Sequence, residues 1–499
     1  MSIDFCVGQL LAYAEKYLGL DPRDEVYARN RVLDILGKAD YAPPSSAVTV
    51  PERPDPIFEG IFAALEGEGK EFDRIALADR LADAVMLRPS EYEARFAEHY
   101  QVSPAAATDW AYAYAVHSNY VKKSAIDRNI RWSAANGLEI TINLSKPEKN
   151  NRDLAKQLAA PSNNYPQCTI CRENEGYERP GFSRRNLRTC SLRLAGEDWF
   201  WQYSPYAYFA EHGIAIRCEH TPMVLDEKTA VRLFDFAEQF PQYFIGNNAP
   251  LPRVGGSILM HDHFQGGLER LPMQRAGIRL PLLGPAAVRA SVVDWFNTAI
   301  RLEGEDRRAV EAAAYSLVEA WRQYRNEALD ILPYTGQTPH NTASLIARKA
   351  ASGYILDIIL RNNRTSDRYP DGIFHAHREY HHIKSESIGL IEAMGLFILP
   401  ARLRRQLGVV EEYLSGVRAW PAEEVAEDMR PFAPMIGRLV EEHGTVSAAQ
   451  AKEVIRRDVE DTCRAILDNT AVFKRDEAGE NALIAFLSDA GFPAKRRNI

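Results

Sequence analysis

Residues 197–267 constrain the fold more than any other part of this sequence. The segments "EDWFWQYSPYAYF" and "GIAIRCEH" are rich in aromatic and β-branched residues, which is typical of strands. "DEKTAVRLFDFAEQFPQYF" has an acidic start and indicates a helix. A loop rich in glycine and proline, "IGNNAPLPRVGGS", then leads into "SILMHDHFQGG". Two strands, a helix, a loop and another strand predict a mixed α/β or α+β domain.

The flanking regions are richer in helix. Residues 1 to about 135 carry apolar residues at helical spacing between charges, as in "EVYARNRVLDILG", and the alternating strand "LEITINL" follows them. After residue 285 a helix, the strands "ASLIARK" and "GYILDIILRNN", and charged helical sequence follow in turn. We predict an α+β fold with three regions, 1–150, 151–285 and 286–499. The pattern His-x-His occurs at 261–263 and again at 375–377, which weakly indicates two related halves.

Composition excludes several classes of protein. The chain has 499 residues and a net charge of −8, which argues against a broad nucleic-acid surface. No apolar run approaches the ~20 residues that span a bilayer, and the start of the sequence lacks the features of a signal peptide. The six cysteines are too few for a disulfide scaffold. We therefore predict a cytoplasmic protein with reduced thiols and without nucleic-acid or membrane partners.

The sequence "CTIC" places Cys168 and Cys171 in a Cys-x-x-Cys motif. This motif is typical of a metal knuckle or of a redox pair. Thiolates and imidazoles together suit zinc, and His220 and His261 could complete a set of four ligands. A redox pair would open a helix after a strand, whereas the surrounding sequence predicts a loop. Zinc is the favoured interpretation; reduced structural cysteines and a redox pair remain alternatives.

The sequence "HDHFQ" contains the residues that best fit covalent chemistry. On a strand His261, His263 and Gln265 would share one face. A neutral imidazole can attack phosphorus, and a glutamine amide can donate to a phosphoryl oxygen as charge develops there. Glycines on both sides of the motif would let the backbone approach a ligand closely. The alternatives are a solvated strand face and a His-x-His that only binds metal.

Several blocks of the sequence resemble one family. "HDHFQ" is similar to the His-x-His-x-Gln signature of the uridylyltransferase branch of the histidine-triad superfamily. The blocks "CTICRENEGY", "GNNAPLPRVGGSILMHDHFQGG" and "GIFHAHREYHHIKSESIGLIEAMGLFILPARL" resemble the galactose-1-phosphate uridylyltransferase family, second bacterial class. The resemblance covers nearly the whole chain. It implies two histidine-triad-like α+β halves with mixed or antiparallel sheets, a mostly helical N-terminal region and a helical C-terminal extension.

The resemblance also implies an activity and roles for residues. The family transfers a uridylyl group from UDP-glucose to galactose 1-phosphate, so His263 would be the nucleophile, Gln265 would hold the phosphoryl oxygens and Asn248 would be a second donor. The better-known first class binds zinc, and carrying its ligands over names Cys168, Cys171, His220 and His261. Zinc would then be structural and would fix His261 beside the nucleophile. Family members are commonly dimers, so we expect a homodimer.

Two departures from the first class leave alternatives open. Asp262 stands where the first class has proline, and no glutamate occupies the position of its second metal ligand. A second metal near His340, His375 and His377 is one interpretation. A second interpretation is that these residues contact substrate phosphate or stabilise the C-terminal half: His375, His377, His381 and His382. An exposed polar strand is a third.

Other residues are candidates for substrate contact. Arg184, Arg185 and Arg188 suit a phosphate clamp, since guanidinium forks match phosphate oxygens, but a solvated basic turn is an equal alternative. Glu392 and Arg402 could reach hexose hydroxyls. Lys146 and Lys149 favour an exposed basic turn, with phosphate contact as the alternative. The aromatic block at 199–209 favours a core over a uracil platform. Two other functions stay open: a histidine-triad hydrolase or adenylyltransferase, and a non-catalytic, zinc-stabilised binding protein for sugar nucleotides.

Overall fold

A computed structural model describes residues 2–45, 48–145, 165–285, 287–421 and 424–495. Lys146, Lys149 and the predicted boundary at residues 150 and 151 lie outside these ranges. The α-helices of the described residues are α1 Ile3–Tyr13, α2 Glu25–Leu36, α3 Asp55–Gly67, α4 Arg74–Asp83, α5 Pro89–Val102, α6 Pro104–His117, α7 Lys123–Ile126, α8 Thr229–Gln239, α9 Pro272–Arg275, α10 Arg307–Gln323, α11 Leu390–Ala393, α12 Leu403–Leu414, α13 Ala433–His443, α14 Ala448–Thr470 and α15 Glu477–Asp489.

The strands are predominantly short. They are β1 Ile130–Ser133, β2 Glu139–Asn143, β3 Glu178–Arg179, β4 Phe182–Ser183, β5 Cys190–Leu194, β6 Glu197–Tyr203, β7 Gly213–Arg217, β8 Phe244–Asn247, β9 His263–Gly267, β10 Ile278–Leu283, β11 Arg289–Val293, β12 Ala299–Gly304, β13 Tyr334–Thr335, β14 Thr338–Pro339, β15 Asn341–Ala350, β16 Gly353–Asn362 and β17 Leu396–Pro400. The α+β fold predicted from the sequence is confirmed, and so are the helical regions at the two ends.

The chain forms two compact units, and the first contains Met1–Asp127, Pro161–Thr221 and His261–Leu268. Its N-terminal helices follow the expected apolar spacing. On α3, for example, Ile57, Phe58, Ile61, Phe62 and Leu65 are buried along one stripe. Asp73 caps α4 by accepting hydrogen bonds from the backbone N–H groups of Ile75 and Ala76 at 2.8 and 3.0 Å.

The strands β9, β7, β6 and β5 of this first unit pair in that order and are antiparallel throughout. Trp199 and Phe264 stack on one face of these strands, with ring centroids 4.8 Å apart. The aromatic side chains of β6 are almost completely buried, and they are Trp199, Phe200, Trp201 and Tyr203. The sequence had favoured a core role for this block, and its burial agrees.

The second unit contains Arg128–Ala160, Pro222–Met260 and Glu269–Ile499. Six of its strands pair antiparallel in the order β10, β11, β12, β16, β15, β8. The β15–β16 hairpin is its longest ladder, and α10 buries Val310, Ala313, Leu317 and Trp321 at helical spacing. A separate sheet pairs β1 with β2 antiparallel and β2 with β17 parallel. The three-region division of the sequence stays a prediction beside these two units.

Among the described residues, none of the helices combines the length and apolar character that a membrane span needs.

Candidate active site and metal centre

His263 and Gln265 lie on one face of β9, where the alternation of a strand places them. His263 pairs with Ile216 of β7, and Gln265 pairs with Ile214. Residues that lie opposite each other in an antiparallel pair point to the same face of the sheet. The side chains of His263 and Gln265 therefore lie on the sheet face that Ile216 and Ile214 also occupy. His261 does not share this geometry, because β9 begins only at His263. The prediction that all three residues share one strand face is therefore wrong for His261.

His263 is a buried imidazole with a defined tautomer. Its Nδ1 lies 2.8 Å from the backbone carbonyl oxygen of His261, and the residue is only 5% exposed. A carbonyl oxygen only accepts, so the ring proton is on Nδ1 and the lone pair is on Nε2. Burial lowers the pKa of His263 to about 4, and its ring is consequently neutral near pH 7. The side chain has the properties of a nitrogen nucleophile.

Gln265 contacts a residue that the sequence analysis did not identify. The Oε1 atom of its amide lies 3.1 Å from Nε2 of His212, which precedes β7 and is 2% exposed. His212 is separated from Gln265 by more than fifty residues, and only the pairing of β7 with β9 brings them together. A lone histidine in "EHG" carries no motif from which this contact could have been predicted.

Four side chains of the first unit converge at a second point. The ligand atoms of Cys168, Cys171, His220 and His261 all lie within 4.8 Å of one another, and among the described residues no other cluster of at least three His, Cys, Asp or Glu side chains comes together in this way. The two Sγ atoms are 3.4 Å apart, and both cysteines are free thiols. Nδ1 of His261 lies 3.3 Å from Sγ of Cys168, and Nδ1 of His220 lies 3.2 Å from Sγ of Cys171.

This donor set fits a tetrahedral metal ion. With Zn–S of about 2.3 Å and Zn–N of about 2.0 Å, the ligand atoms of a tetrahedron lie roughly 3.3–3.8 Å apart. Nε2 of His261 lies 2.7 Å from the carbonyl oxygen of Arg217, which keeps the proton there and turns the lone pair of Nδ1 toward the sulfurs. The buried amide of Asn174 donates to the carbonyls of Cys168 and Cys171 and thereby shapes the knuckle.

The electrostatics of the cluster favour a thiolate. The hydrogen bond with Cys168 holds the pKa of Cys171 well below that of an ordinary thiol. A thiolate is the form in which cysteine binds a metal. The segment between Tyr165 and Cys171 is irregular rather than helical, which removes the strand-to-helix setting of a thioredoxin-like redox pair.

In the second unit, Asn248 is fixed against the first residue of α11. Its Oδ1 accepts a hydrogen bond of 2.9 Å from the backbone N–H of Leu390, and its buried Nδ2 has no hydrogen-bond partner among the described residues. A Cβ on Gly256 would lie 2.8 Å from that Nδ2, and a Cβ on Gly255 would lie 2.1 Å from the carbonyl oxygen of Ala249. The glycines of this loop thus permit its own tight packing, whereas the sequence had suggested approach to a ligand.

Glu392 belongs to the same surroundings as Asn248. A Cβ on Gly389 would be 3.3 Å from Oδ1 of Asn248 and 3.4 Å from Oε2 of Glu392, so little more than a glycine separates the two side chains. Glu392 forms an ion pair of 3.1 Å with Lys384, which is 2% exposed. The structure thus brings together two of the predicted substrate-binding residues and adds Lys384 to them.

Arg361 of β16 is a buried cation that the sequence did not single out. Its Nη2 donates to the carbonyl oxygen of Ile388 at 2.8 Å, while Nε and Nη1 lack partners among the described residues. Burial lowers the pKa of Arg361 to about 10. Burial and, to a smaller extent, the positive charge of Arg361 lower the pKa of His375 to about 4. A buried guanidinium with spare donors is a binding group for an anion.

The remaining candidate histidines lie apart from any strand face. His375 and His377 occupy an irregular segment after β16, and their ring nitrogens contact the carbonyls of Ala376 and Ile373 at 3.0 Å each. The alternative of an exposed polar strand is wrong for them. Both ring nitrogens of His340 are already hydrogen-bonded, at 2.8 Å each, to side chains of Asn363 and Thr335.

The three arginines of the first unit have unequal surroundings. Arg188 is 6% exposed in its side chain, donates to the carbonyl of Leu87 at 2.8 Å and pairs with Asp83 at 3.0 Å. Arg185 pairs with Glu178 at 3.1 Å. Arg184 stacks over Phe182, at 4.7 Å from the ring centroid, and donates to a backbone carbonyl. Phosphate contact by these residues stays a prediction, with Arg184 the least enclosed by ion pairs.

Arg402 donates to the carbonyl of His382 and to Gln406.

Comparison with known proteins adds an independent finding. Residues 19–222 match the family described as "Galactose-1-phosphate uridyl transferase, N-terminal domain". The galactose-1-phosphate uridylyltransferase of Lactiplantibacillus plantarum is 40% identical over 493 residues, which are 98% of this chain and 99% of that protein. The protein of the same name from Bifidobacterium longum is 40% identical over 98% of each chain. Among solved structures, yeast Ap4A phosphorylase Apa2 is 12% identical, with a TM-score of 0.30, over 61% of this chain and 90% of that one.

Proposed function

The chain belongs to the galactose-1-phosphate uridylyltransferase family, and we propose that His263 carries the uridylyl group during the reaction. The protein is an enzyme that transfers a uridylyl group in galactose metabolism. The proposed donor is UDP-glucose and the proposed acceptor is galactose 1-phosphate. One observation carries the proposal: a buried imidazole whose Nδ1 proton is held by a backbone carbonyl and whose lone pair is on Nε2.

The chemistry divides into two displacements at the α-phosphorus. In the first, Nε2 of His263 attacks the α-phosphorus of UDP-glucose, and the bond to the bridging oxygen breaks. The electron pair leaves with glucose 1-phosphate. In the second, a phosphate oxygen of galactose 1-phosphate attacks the same phosphorus, the P–N bond breaks, and its electron pair returns to Nε2, which releases UDP-galactose.

Neighbouring groups assist both displacements. The carbonyl of His261 accepts a hydrogen bond from the Nδ1–H group of His263 throughout and so stabilises the positive charge that the ring gains when Nε2 bonds to phosphorus. The amide of Gln265, on the same strand face, donates to a non-bridging phosphoryl oxygen. Glutamine cannot act as an acid toward water, which favours transfer over hydrolysis.

We propose zinc as the metal of the Cys168, Cys171, His220 and His261 group. When bound, zinc supplies a closed, four-coordinate anchor and no open position for substrate. The chain's own residues then hold the backbone of His261 in place, and with it the carbonyl that fixes the tautomer of His263. The donor set and the distances between its atoms support this proposal.

The proposed substrate-binding residues are Asn248, His375, His377, Glu392, Arg184, Arg185 and Arg188. The buried donors of Asn248 and of the neighbouring cation Arg361 support a role in holding phosphate or sugar. Three further expectations stay predictions. They are a homodimer of about twice the 56.2 kDa chain mass, a cytoplasmic location, and a second metal near His340, His375 and His377.

The test uses UDP-glucose labelled with ³²P in the α-phosphate. The enzyme without acceptor should retain acid-labile, protein-bound label, and adding galactose 1-phosphate should remove that label as UDP-galactose. His263→Asn should lose the label and at least roughly 10³-fold of the turnover rate, since a nucleophile is removed. His443→Asn, at the exposed end of α13, is the matched control and should retain both.

The same experiment separates the two alternatives. A non-catalytic binding protein would hold UDP-glucose without forming a covalent adduct and without releasing glucose 1-phosphate. A hydrolase would release UMP at its turnover rate in the absence of acceptor. Label that persists in His263→Asn would place the nucleophile elsewhere.

A further inference from the structure

His212 is a buried histidine that the proposed reaction leaves without a role. Its ring lies against Gln265, with His212 Nε2 3.1 Å from Gln265 Oε1. A buried imidazole that is hydrogen-bonded to the glutamine of the HDHFQ motif calls for an explanation beyond packing.

The proton on the His212 ring can be assigned from two of its contacts. The backbone N–H of Tyr208 points at Nδ1 over 3.4 Å. A backbone N–H only donates, so Nδ1 accepts and the ring proton is on Nε2. Nε2 then donates to Gln265, and the atom of the amide that faces it must be the oxygen.

This hydrogen bond determines which end of the Gln265 amide is left for the substrate. With Oε1 turned to His212, the amide nitrogen points the other way with its two N–H donors. In the flipped orientation an oxygen would face the phosphoryl oxygens, and the two acceptors would repel one another. Loss of one donor at a developing oxyanion costs about 10²–10³-fold in rate, so the orientation matters for catalysis.

The loop before β7 is shaped so that the His212 ring has little freedom. Glu211 adopts a left-handed backbone with φ of 54°, and the carbonyl of His212 accepts from the N–H of Ser204 at 2.8 Å. A Cβ on Gly213 would lie 2.1 Å from the Trp201 ring, and a Cβ on Gly267 would lie 2.7 Å from the carbonyl oxygen of Glu211. Gly213 thus permits the close contact with Trp201 of β6, and Gly267 permits the close approach of this loop to β9.

Aromatic contacts hold the ring from its faces. The His212 ring stacks on Tyr208 at 5.1 Å between centroids and packs against Phe209 at 4.5 Å. The hydrogen bonds with Tyr208 and Gln265, these aromatic neighbours and the constrained backbone together fix the ring. Such preorganisation is what a positioning group needs, because it avoids rearrangement during the reaction.

We propose that His212 is a positioning residue that sets the orientation of the Gln265 amide and so presents its N–H groups to the phosphoryl oxygens. The proposal rests on the proposed function, in which Gln265 contacts the transferred uridylyl group. In this proposal the segment Tyr208–Gly213 contributes to uridylyl transfer, because it holds the His212 ring that orients the Gln265 amide.

Two nearly isosteric substitutions test the orientation. Glutamine places an amide nitrogen near the position of the imidazole Nε2, whereas glutamate has the same shape and offers only acceptors when ionised. We expect His212→Gln to retain most of the rate of uridylyl-enzyme formation in single-turnover experiments with UDP-glucose. We expect His212→Glu to lose about 100-fold of that rate, while the KM for UDP-glucose changes much less.

A double-mutant cycle distinguishes positioning from damage to the fold. In a Gln265→Met background there is no amide to orient, so His212→Glu and His212→Gln should then react at the same rate. A structural defect would instead slow the glutamate variant in both backgrounds. Metal content and thermal stability of each variant are measured alongside. His212→Met, which lacks a donor without adding a charge, serves if the glutamate variant does not fold, and should also be slow only when Gln265 is present.

Three results would overturn the proposal: equal rates for the two isosteric variants in the native background, an equal penalty in the Gln265→Met background, or full activity of Gln265→Met itself. The third result would remove the role of Gln265 but would leave the proposal of uridylyl-His263 intact. The label test identifies the nucleophile through His263→Asn and does not involve His212 or Gln265. Absence of label on His263 in the wild-type enzyme, in contrast, would refute the proposed function.

Discussion

The imidazoles of His261 and His263 differ in which nitrogen carries the proton. In His261 the proton is on Nε2, held by the carbonyl of Arg217, so Nδ1 is available to the metal group. In His263 the proton is on Nδ1, held by the carbonyl of His261, so Nε2 is available for attack. In the proposed mechanism, two backbone carbonyls thus determine which histidine binds metal and which reacts. Two identical side chains acquire opposite chemistry through one hydrogen bond each.

Lys474 provides a pH-dependent test at the scale of a single residue. Burial lowers its pKa to about 8, although its Nζ donates to the carbonyls of Asp468 and Asn469 at the end of α14. In the unfolded chain its pKa is about 10.4. Between these values the unfolded chain binds the extra proton, so stability rises with pH. We expect wild type to gain roughly 2 kcal/mol from pH 8 to 10 relative to Lys474→Met, measured by urea unfolding.

The control for Lys474 is Lys452→Met, whose side chain is 71% exposed. Its stability profile should run parallel to that of wild type over the same pH range. If the wild-type profile and that of Lys474→Met are parallel as well, the lysine does not titrate near pH 8 in the folded protein.

The residues predicted from the sequence were those that form local motifs. "CTIC" and "HDHFQ" identify Cys168, Cys171, His261 and His263 because each motif lies within a few residues of the chain. His212, Asn174 and Arg361 were missed because their significance depends on partners that strand pairing and loop folding supply. His212 becomes informative only once β7 is known to lie beside β9, and Arg361 only once its guanidinium is known to be buried.

At the scale of elements, the periodicity of the sequence predicted the strands and helices but not where each begins. "ASLIARK" and "GYILDIILRNN" lie in β15 and β16, as expected. β9, however, begins two residues later than alternation suggested, because the His261 ring is held by a backbone carbonyl and by the sulfurs instead of continuing the strand face. Register and strand ends depend on such tertiary contacts, which one sequence does not encode locally.

The metal group links three elements, and Cys171→Ala tests that link. The group joins the loop before the Arg172–Asn174 turn to the residues that follow β7 and precede β9. We expect the variant to lose its stoichiometric zinc and, with it, several kcal/mol of apparent unfolding free energy, since metal binding contributes directly to folding. Elemental analysis per chain and urea unfolding at constant pH measure the two effects.

Cys218→Ala is the matched control for this experiment. Cys218 is half-buried and lies two residues before His220, but it is not part of the four-residue group. Its replacement should retain the zinc and most of the stability. A Cys171→Ala protein that still binds one zinc ion per chain with unchanged stability would show that the four residues do not form the metal site.

At the scale of the whole molecule, the proposed chemistry requires the first product to leave before the second sugar binds. Uridylyl-His263 conserves the transferred group while glucose 1-phosphate is exchanged for galactose 1-phosphate. We therefore expect labelled glucose 1-phosphate to exchange into UDP-glucose with no galactose 1-phosphate present, at a rate within about tenfold of overall turnover. Initial rates plotted at several fixed acceptor concentrations should give parallel lines. Exchange that needs galactose 1-phosphate, together with intersecting lines, would indicate direct transfer in a ternary complex, and His263 would then have to act without a covalent bond to phosphorus.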